Sequence, residues 1–277
     1  GYFGLPEMGG VGCGYATTIV STLMFVAMLG IVLFSKSYKK NKLFSRFDGP
    51  SLKTSMEVFK LGTPIGFGIF VELSMYSGAA IILAPLGENV VSGHAVALNI
   101  ASIVFMLPLA IGLAASTRVG NLLGEKRYID ARYSSKVSVY LCLIGALFNM
   151  TLLVTLGDKL ISLYTTDLMV FSVASHLIVF AAIFQIPDGI GMGSLGALRG
   201  YKDTFMTMVF IIIAYWVFAI PFGYYLTYYG INQPMGESGM WISMIVGLTI
   251  FATLISRRLN KISGLHAVIR KEKVPQF

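Results

Sequence analysis

Seven long apolar runs separated by short polar connections set the pattern of this chain, at roughly residues 11–34, 61–85, 92–117, 134–156, 168–198, 204–229 and 239–256. About 20 apolar residues suffice for a helix to cross the hydrocarbon of a bilayer, where a backbone must satisfy its own hydrogen bonds. The runs lack strand-type alternation and are too long for barrel strands. The pattern therefore predicts an all-α, polytopic membrane protein with seven transmembrane helices. Pro64, Pro108, Pro187 and Pro221 fall inside four of these runs, and each removes one helical hydrogen bond and predicts a kink. Gly189, Gly191, Gly193 and Gly196 follow Pro187, so the fifth helix is expected to be bent and able to rearrange, with Pro187 and Gly189 as hinge. The plainer reading of any one of these glycines is close helix packing.

Composition strengthens this picture. Of 277 residues, 56% are hydrophobic and only 12% are charged, which excludes an ordinary soluble domain. A net charge of +8 would suggest nucleic acid in a soluble protein, but here the positive-inside rule accounts for it, and no nucleic-acid partner is expected. Every Lys and Arg except Lys159 falls in residues 36–60, 118–136, 199–202 or the tail from Arg257, which are alternate connections. That bias predicts a cytoplasmic C-terminus and an external N-terminus. The opposite connections carry Glu7, Glu88, Asp158, Asp167 and Glu237, an acidic rim that either favours cationic solutes or simply keeps exposed loops polar. Cys13 and Cys142 have no metal or disulfide spacing and read as helix-packing residues. The chain opens at Gly1 without an initiator Met or signal peptide, which predicts a fragment.

Two acids break the apolar runs. Glu72 sits in the middle of KLGTPIGFGIFVELSMYSGAAIILAP, and Asp188 lies among apolar residues and glycines in LIVFAAIFQIPDGIGMGSLGALRG. A charge near the bilayer centre costs at least about 2.5–3.5 kcal/mol, so chains that keep one there usually bind or move something with it. Glu72 lies twelve residues after Lys60, and Asp188 eleven before Arg199. At about 1.5 Å per residue both are roughly 16–18 Å from the same membrane face, which predicts one shared site. Either a proton or Na⁺, which prefers hard oxygen ligands, suits a carboxylate pair.

Met75 and Tyr76 follow Glu72 at helical spacing, and Phe184 and Met192 flank Asp188, a lining that would suit flat amphipathic cations. A lipid-facing or core stripe is the alternative. Asn99 and Gln185 are polar residues within spans that either orient the site or bridge helices. His94, His176 and His266 share no metal-ligand spacing and read as boundary residues. No internal repeat is evident.

At several stretches the residues resemble the multidrug and toxic compound extrusion (MATE) transporters, and within them the NorM-type members. These are GLPEMGGVGCGYAT, KLGTPIGFGIFVELSMYS, SGHAVALNIASIVFMLPLAIGLAASTRVGNLLGE and LGALRGYKDT, which together cover most of the chain. The resemblance implies the sixth helix plus the C-terminal six-helix lobe of a twelve-helix transporter that exchanges inward-moving Na⁺ or H⁺ for an outward-moving organic cation. It divides the chain into a helix of the N-terminal lobe (1–34), a cytoplasmic linker (35–60), the C-terminal lobe (61–256) and a basic tail (257–277). It implies a cation site at Glu72 and Asp188, an aromatic near that site at Phe105, and a drug-contacting acid at Asp167. Where some members carry a tyrosine one turn before the second acid, this chain has Phe184, which bears on the choice of ion. The implied partners are the lipid bilayer, an N-terminal lobe of which this chain holds only the last helix, and cationic or amphipathic drugs. No cofactor is implied beyond the coupling ion.

Two other readings compete. A lipid-linked oligosaccharide flippase of the same superfold would want a cationic cavity, whereas the candidate cavity charges, Glu72 and Asp188, are acidic. An intramembrane aspartyl protease also needs two acids, but its YD and GxGD signatures are not matched by VELSM and PDGIGMG. A structural subunit would leave two acids at matched depth unexplained.

Overall fold

The computed structural model describes residues 9–34, 49 and 51–271, and among these there are helices and turns but no strand. Much of the predicted linker (35–48 and 50), Glu7 and the last residues of the tail (272–277) lie outside the described residues. The chain divides into two compact units, Gly1–Ser55 and Met56–Phe277. In the first, α1 (Gly9–Phe34) is apolar all round, and Thr18 and Thr22 donate back to carbonyls one turn earlier.

α2 (Leu52–Leu83) ends in a short 3₁₀ turn, and α3 (Glu88–Gly124), α4 (Tyr128–Ser162) and α5 (Leu168–Gly200) follow through tight connections. The sixth span is composite: α6 (Thr204–Ile211), a π-helical stretch (Ile212–Ala219) and α7 (Ile220–Tyr228). α8 (Gly236–Lys271) closes the fold. Seven spans among the described residues are long and apolar enough to cross a membrane, as predicted. Large apolar side chains such as Phe70, Ile103, Ile144, Phe148 and Val154 cover the outside, as lipid requires.

The helices outrun the apolar stretches that announced them. α2 begins at Leu52 rather than 61, α4 at Tyr128 rather than 134, and α8 continues to Lys271 through most of the basic tail. Apolar length measures the hydrocarbon crossing, whereas a helix continues into the polar interface until a cap stops it.

α5 is the axis of the second unit. It packs closely against α3, α4 and α8, and two pairs of small residues permit this. Gly189 and Gly193 face α4, where an added Cβ would meet Cys142 O at 2.9 Å and Val139 Cα at 2.8 Å. Gly196 and Gly200 face α3, the first against the Gly112 carbonyl and the second 2.8 Å from Ser116 O. α5 continues as one helix through Pro187, as α2 and α3 do through Pro64 and Pro108, so these prolines lie inside unbroken helices. The irregularity falls just before Pro221 instead, where Ile220 N–H donates to Tyr215 O in the i→i+5 pattern.

The basic end of the bundle is built from two like turns. After α3, Arg127 N–H reaches Leu122 O (2.8 Å) and Lys126 N–H reaches Leu123 O (3.0 Å); after α5, Asp203 N–H reaches Leu198 O (3.1 Å) and Lys202 N–H reaches Arg199 O (3.0 Å). Lys126 and Lys202 take the left-handed conformation, with φ of 60° and 61°. The two turns also share a short Leu-x-Gly-x-Lys pattern, Leu122, Gly124 and Lys126 against Leu198, Gly200 and Lys202, a local likeness too short to stand out as a repeat in the sequence. Asp203 then accepts from Arg258 Nε (2.6 Å) and Nη2 (3.3 Å), tying the second turn to α8.

Candidate functional site

The space between α2, α3 and α5 is a cavity of about 490 Å³. α3 and α5 cross through small residues, but no helix packs its backbone as closely on α2. The gap is filled by side chains. Val71 and Met75 of α2 enter the apolar core with Tyr215, Phe184 and Met192, and Trp216 Nε1 donates to Ser74 Oγ at 2.9 Å.

Glu72 from α2 and Asp188 from α5 line this one cavity, so helices 116 positions apart in sequence bring the two predicted acids together. Asp188 is 6% exposed and Glu72 half-buried, so two carboxyls share one low-dielectric space, where a charge on either disfavours a charge on the other. Tyr76, Phe105, Phe184 and Met192 line the same cavity. Tyr76 meets Phe184 at 6.5 Å between ring centroids, and Phe184 in turn sets its edge on Trp241 at 6.3 Å. Leu98, Met106 and Leu109 complete an amphipathic wall.

Other candidates lie elsewhere. Met75 is fully buried in the core and does not line the cavity. Asn99 is exposed and donates to Ala95 O in its own turn at 2.9 Å, so it orients nothing at the acids. Gln185 is fully buried and accepts from Asn149 Nδ2 at 3.3 Å, and Asn149 also donates to Val104 O, so this pair bridges α3, α4 and α5. Asp167 caps α5, accepting from Met169 N (2.8 Å) and Val170 N (3.3 Å). It lies twenty-one residues from Asp188, about 30 Å along the axis. Pro187 faces away from the acids into a groove with α8 residues Thr253, Ser256 and Arg257, while Gly189 is committed to packing on α4.

Among the histidines, His94 is a core residue. It is 1% exposed, and Trp241 Nε1 donates to its Nδ1 at 3.1 Å. His176 meets Ser238 Oγ at 2.8 Å, and the side chain of His266 lies outside the described residues. Cys142 is buried, as a packing residue should be.

The sequence reading missed two residues. Arg199 was counted with the connections, yet its side chain lines the cavity and its charge acts on Glu72. Its spacing from Asp188, three helical turns, was the available signal. Tyr215 is 1% exposed in the π segment and lies within electrostatic reach of Glu72, Tyr76 and Asp188. No sequence spacing could have found it, because its direction depends on a non-α turn.

A family model described as MatE matches residues 64–225. The chain is 42% identical over 261 residues to the multidrug resistance protein NorM of Vibrio vulnificus strain YJ016, covering 94% of this chain and 57% of the relative. It is 40% identical over 262 residues to the multidrug resistance protein PmpM of Pseudomonas aeruginosa, covering 94% and 55%. The chain thus spans somewhat over half the length of these curated relatives. Its fold matches the eukaryotic MATE transporter AtDTX14 with a TM-score of 0.76 at 22% identity, covering 89% of this chain and 56% of that one. An outward-facing multidrug resistance MATE family transporter of the MOP superfamily gives 0.76 at 18% identity, covering 93% and 58%. With its multi-pass helical fold and a family match over more than half its length, the chain belongs to the MatE family.

Proposed function

We propose that this chain is the ion-coupled part of a secondary multidrug efflux transporter, in which Na⁺ or H⁺ moving inward at Glu72 and Asp188 drives an organic cation outward. One observation carries the reading: two acids on different helices share an aromatic-walled cavity inside an apolar bundle. Acids placed there cost folding energy and contribute nothing to packing, so a cation must recover that cost. The relatives are named as multidrug resistance proteins, which supports drug efflux as the outcome and transport rather than catalysis. The excess of Lys and Arg at one end of the bundle supports an external N-terminus and a cytoplasmic C-terminus.

Coupling follows from electrostatics. Two like charges in one low-dielectric cavity repel, and an arriving cation relieves that repulsion, so ion occupancy biases the separation of α2 and α5. Drug and ion then compete for the same charge, with Tyr76, Phe105 and Phe184 offering ring faces to the organic cation. Pro187, where α5 lacks one hydrogen bond, is the place for that helix to give, and Gly189 would then slide on α4.

The test is made on the transporter containing this chain, reconstituted in vesicles. Glu72→Gln and Asp188→Asn should each cut gradient-driven export of a fluorescent organic cation to background while thermal unfolding stays at the parental temperature. Parental export with unchanged pH and Na⁺ dependence in either variant removes that residue from the coupling site.

A further inference from the structure

The cavity holds a third charge that the acid pair does not explain. Arg199 stands in the last turn of α5, eleven residues beyond Asp188, close to three whole turns. Phe184, Asp188, Met192 and Arg199 therefore form one stripe, and all four line the cavity with Glu72. Helical side chains lean toward the N-terminus, so the guanidinium points from the basic end toward the acids. Its Nε is buried without a hydrogen-bond partner, an uncommon condition for an arginine. Its charge and that of Glu72 act on each other, yet the ion pairs found among the described residues are those of Arg127 and Arg258. Arg199 is thus near enough to interact with Glu72 without being neutralised by contact.

We propose that Arg199 is a resident counter-cation that weakens the hold of Glu72 and Asp188 on the coupling ion, so that the ion can leave toward the basic end of the bundle. In the ion-free cavity the guanidinium offsets the repulsion between the two carboxylates. Once Na⁺ or a proton is bound, the same fixed charge repels it. Without such a charge, two buried carboxylates would make a trap rather than a relay. The axial separation of Asp188 and Arg199 is about 16 Å. At an effective dielectric of about 20, that spacing changes the affinity of a monovalent cation about sixfold, and the backward lean of the arginine makes sixfold a lower figure. Arg199 is a positioning charge here, not an ion ligand. This inference rests on the antiport reading above.

The experiment titrates the purified, drug-free transporter with NaCl and, separately, with pH, following intrinsic fluorescence. Arg199→Gln and the near-isosteric Arg199→Met should each lower the apparent Kd for Na⁺ at least fivefold, or raise the midpoint of proton release by at least about 0.7 pH unit, the same factor in proton affinity. Arg199→Lys should stay within twofold of the parent. An arginine that merely anchors α5 at the membrane surface would leave ion affinity unchanged, and that result overturns the proposal. Should one neutral variant fail to fold, the other decides. A parent that shows no Na⁺ or proton signal sensitive to Asp188→Asn overturns the antiport reading and this inference together, so the parental titration tells the two failures apart.

Discussion

At the scale of single residues, the acids announced themselves and their surroundings did not. Glu72 and Asp188 were legible because a carboxylate in a long apolar run has no packing rationale, and the structure sets both on one cavity. Arg199 was hidden by its sequence context, since a cation beside a turn reads as part of the loop even when its side chain points inward. Asn99 misled for the opposite reason: an amide inside a span suggested a bridge, but the backbone carbonyl one turn back satisfies it. The glycines of α5 carry the sharpest residue-level prediction. A methyl at Gly196 would press on the Gly112 backbone carbonyl, which cannot move aside as a flexible side chain could. Gly196→Ala is expected to destabilise by about 1–3 kcal/mol or more and to lower the unfolding temperature in detergent. Gly264→Ala, with nothing within 4 Å of the added methyl, should be neutral or stabilising by up to about 1 kcal/mol.

At the scale of elements, span number and order could be read from apolar length, while helix ends and irregularities could not. The seven expected runs are the seven observed spans, but the continuation of α2, α4 and α8 depends on polar helix-forming residues that a hydropathy reading sets aside. Prolines located possible defects without giving their kind. α5 carries Pro187 within an unbroken helix, whereas the segment before Pro221 widens into a π-helix. The start of α5 yields a prediction that separates two roles of Asp167. Its carboxylate accepts two backbone N–H groups in the first turn, so Asp167→Ala should cost about 1 kcal/mol of stability, while Asp167→Asn, which keeps an accepting oxygen, should cost a few tenths. Thermal unfolding of the two variants beside the parent measures the difference.

At the scale of the whole molecule, the fold class followed from composition and periodicity, and the resemblance placed the chain among its relatives. The cavity itself was out of reach, because it exists where α2 stands off from the tightly crossed α3, α4 and α5, and standing off leaves no mark in a linear pattern. Orientation is the remaining global property that charge alone addresses. Lys159 ends α4 at the end of the bundle opposite Lys126. In a background with both native cysteines replaced, Lys159→Cys should react with a membrane-impermeant maleimide on intact cells, and Lys126→Cys only after the membrane is opened. The reverse pattern would invert the assigned topology.

The π-helical stretch has a geometric consequence for how the sixth span meets its neighbour. Ile211 and Ile220 lie against the Gly68 and Gly78 positions of α2, and between them Trp216 reaches Ser74. Nine residues of regular α-helix make about two and a half turns, which would leave Ile211 and Ile220 facing opposite ways. Bonds that span five residues widen each turn, so the same nine residues complete roughly two, and both isoleucines return to one side. The stretch thus works as a phase corrector, resetting the rotation of the helix midway so that a single stripe can track α2 along its length. Tyr215 reaches the neighbourhood of the acids by the same correction, which makes the electrostatics around Glu72 and Asp188 depend on the winding of a helix that carries no ionised side chain of its own.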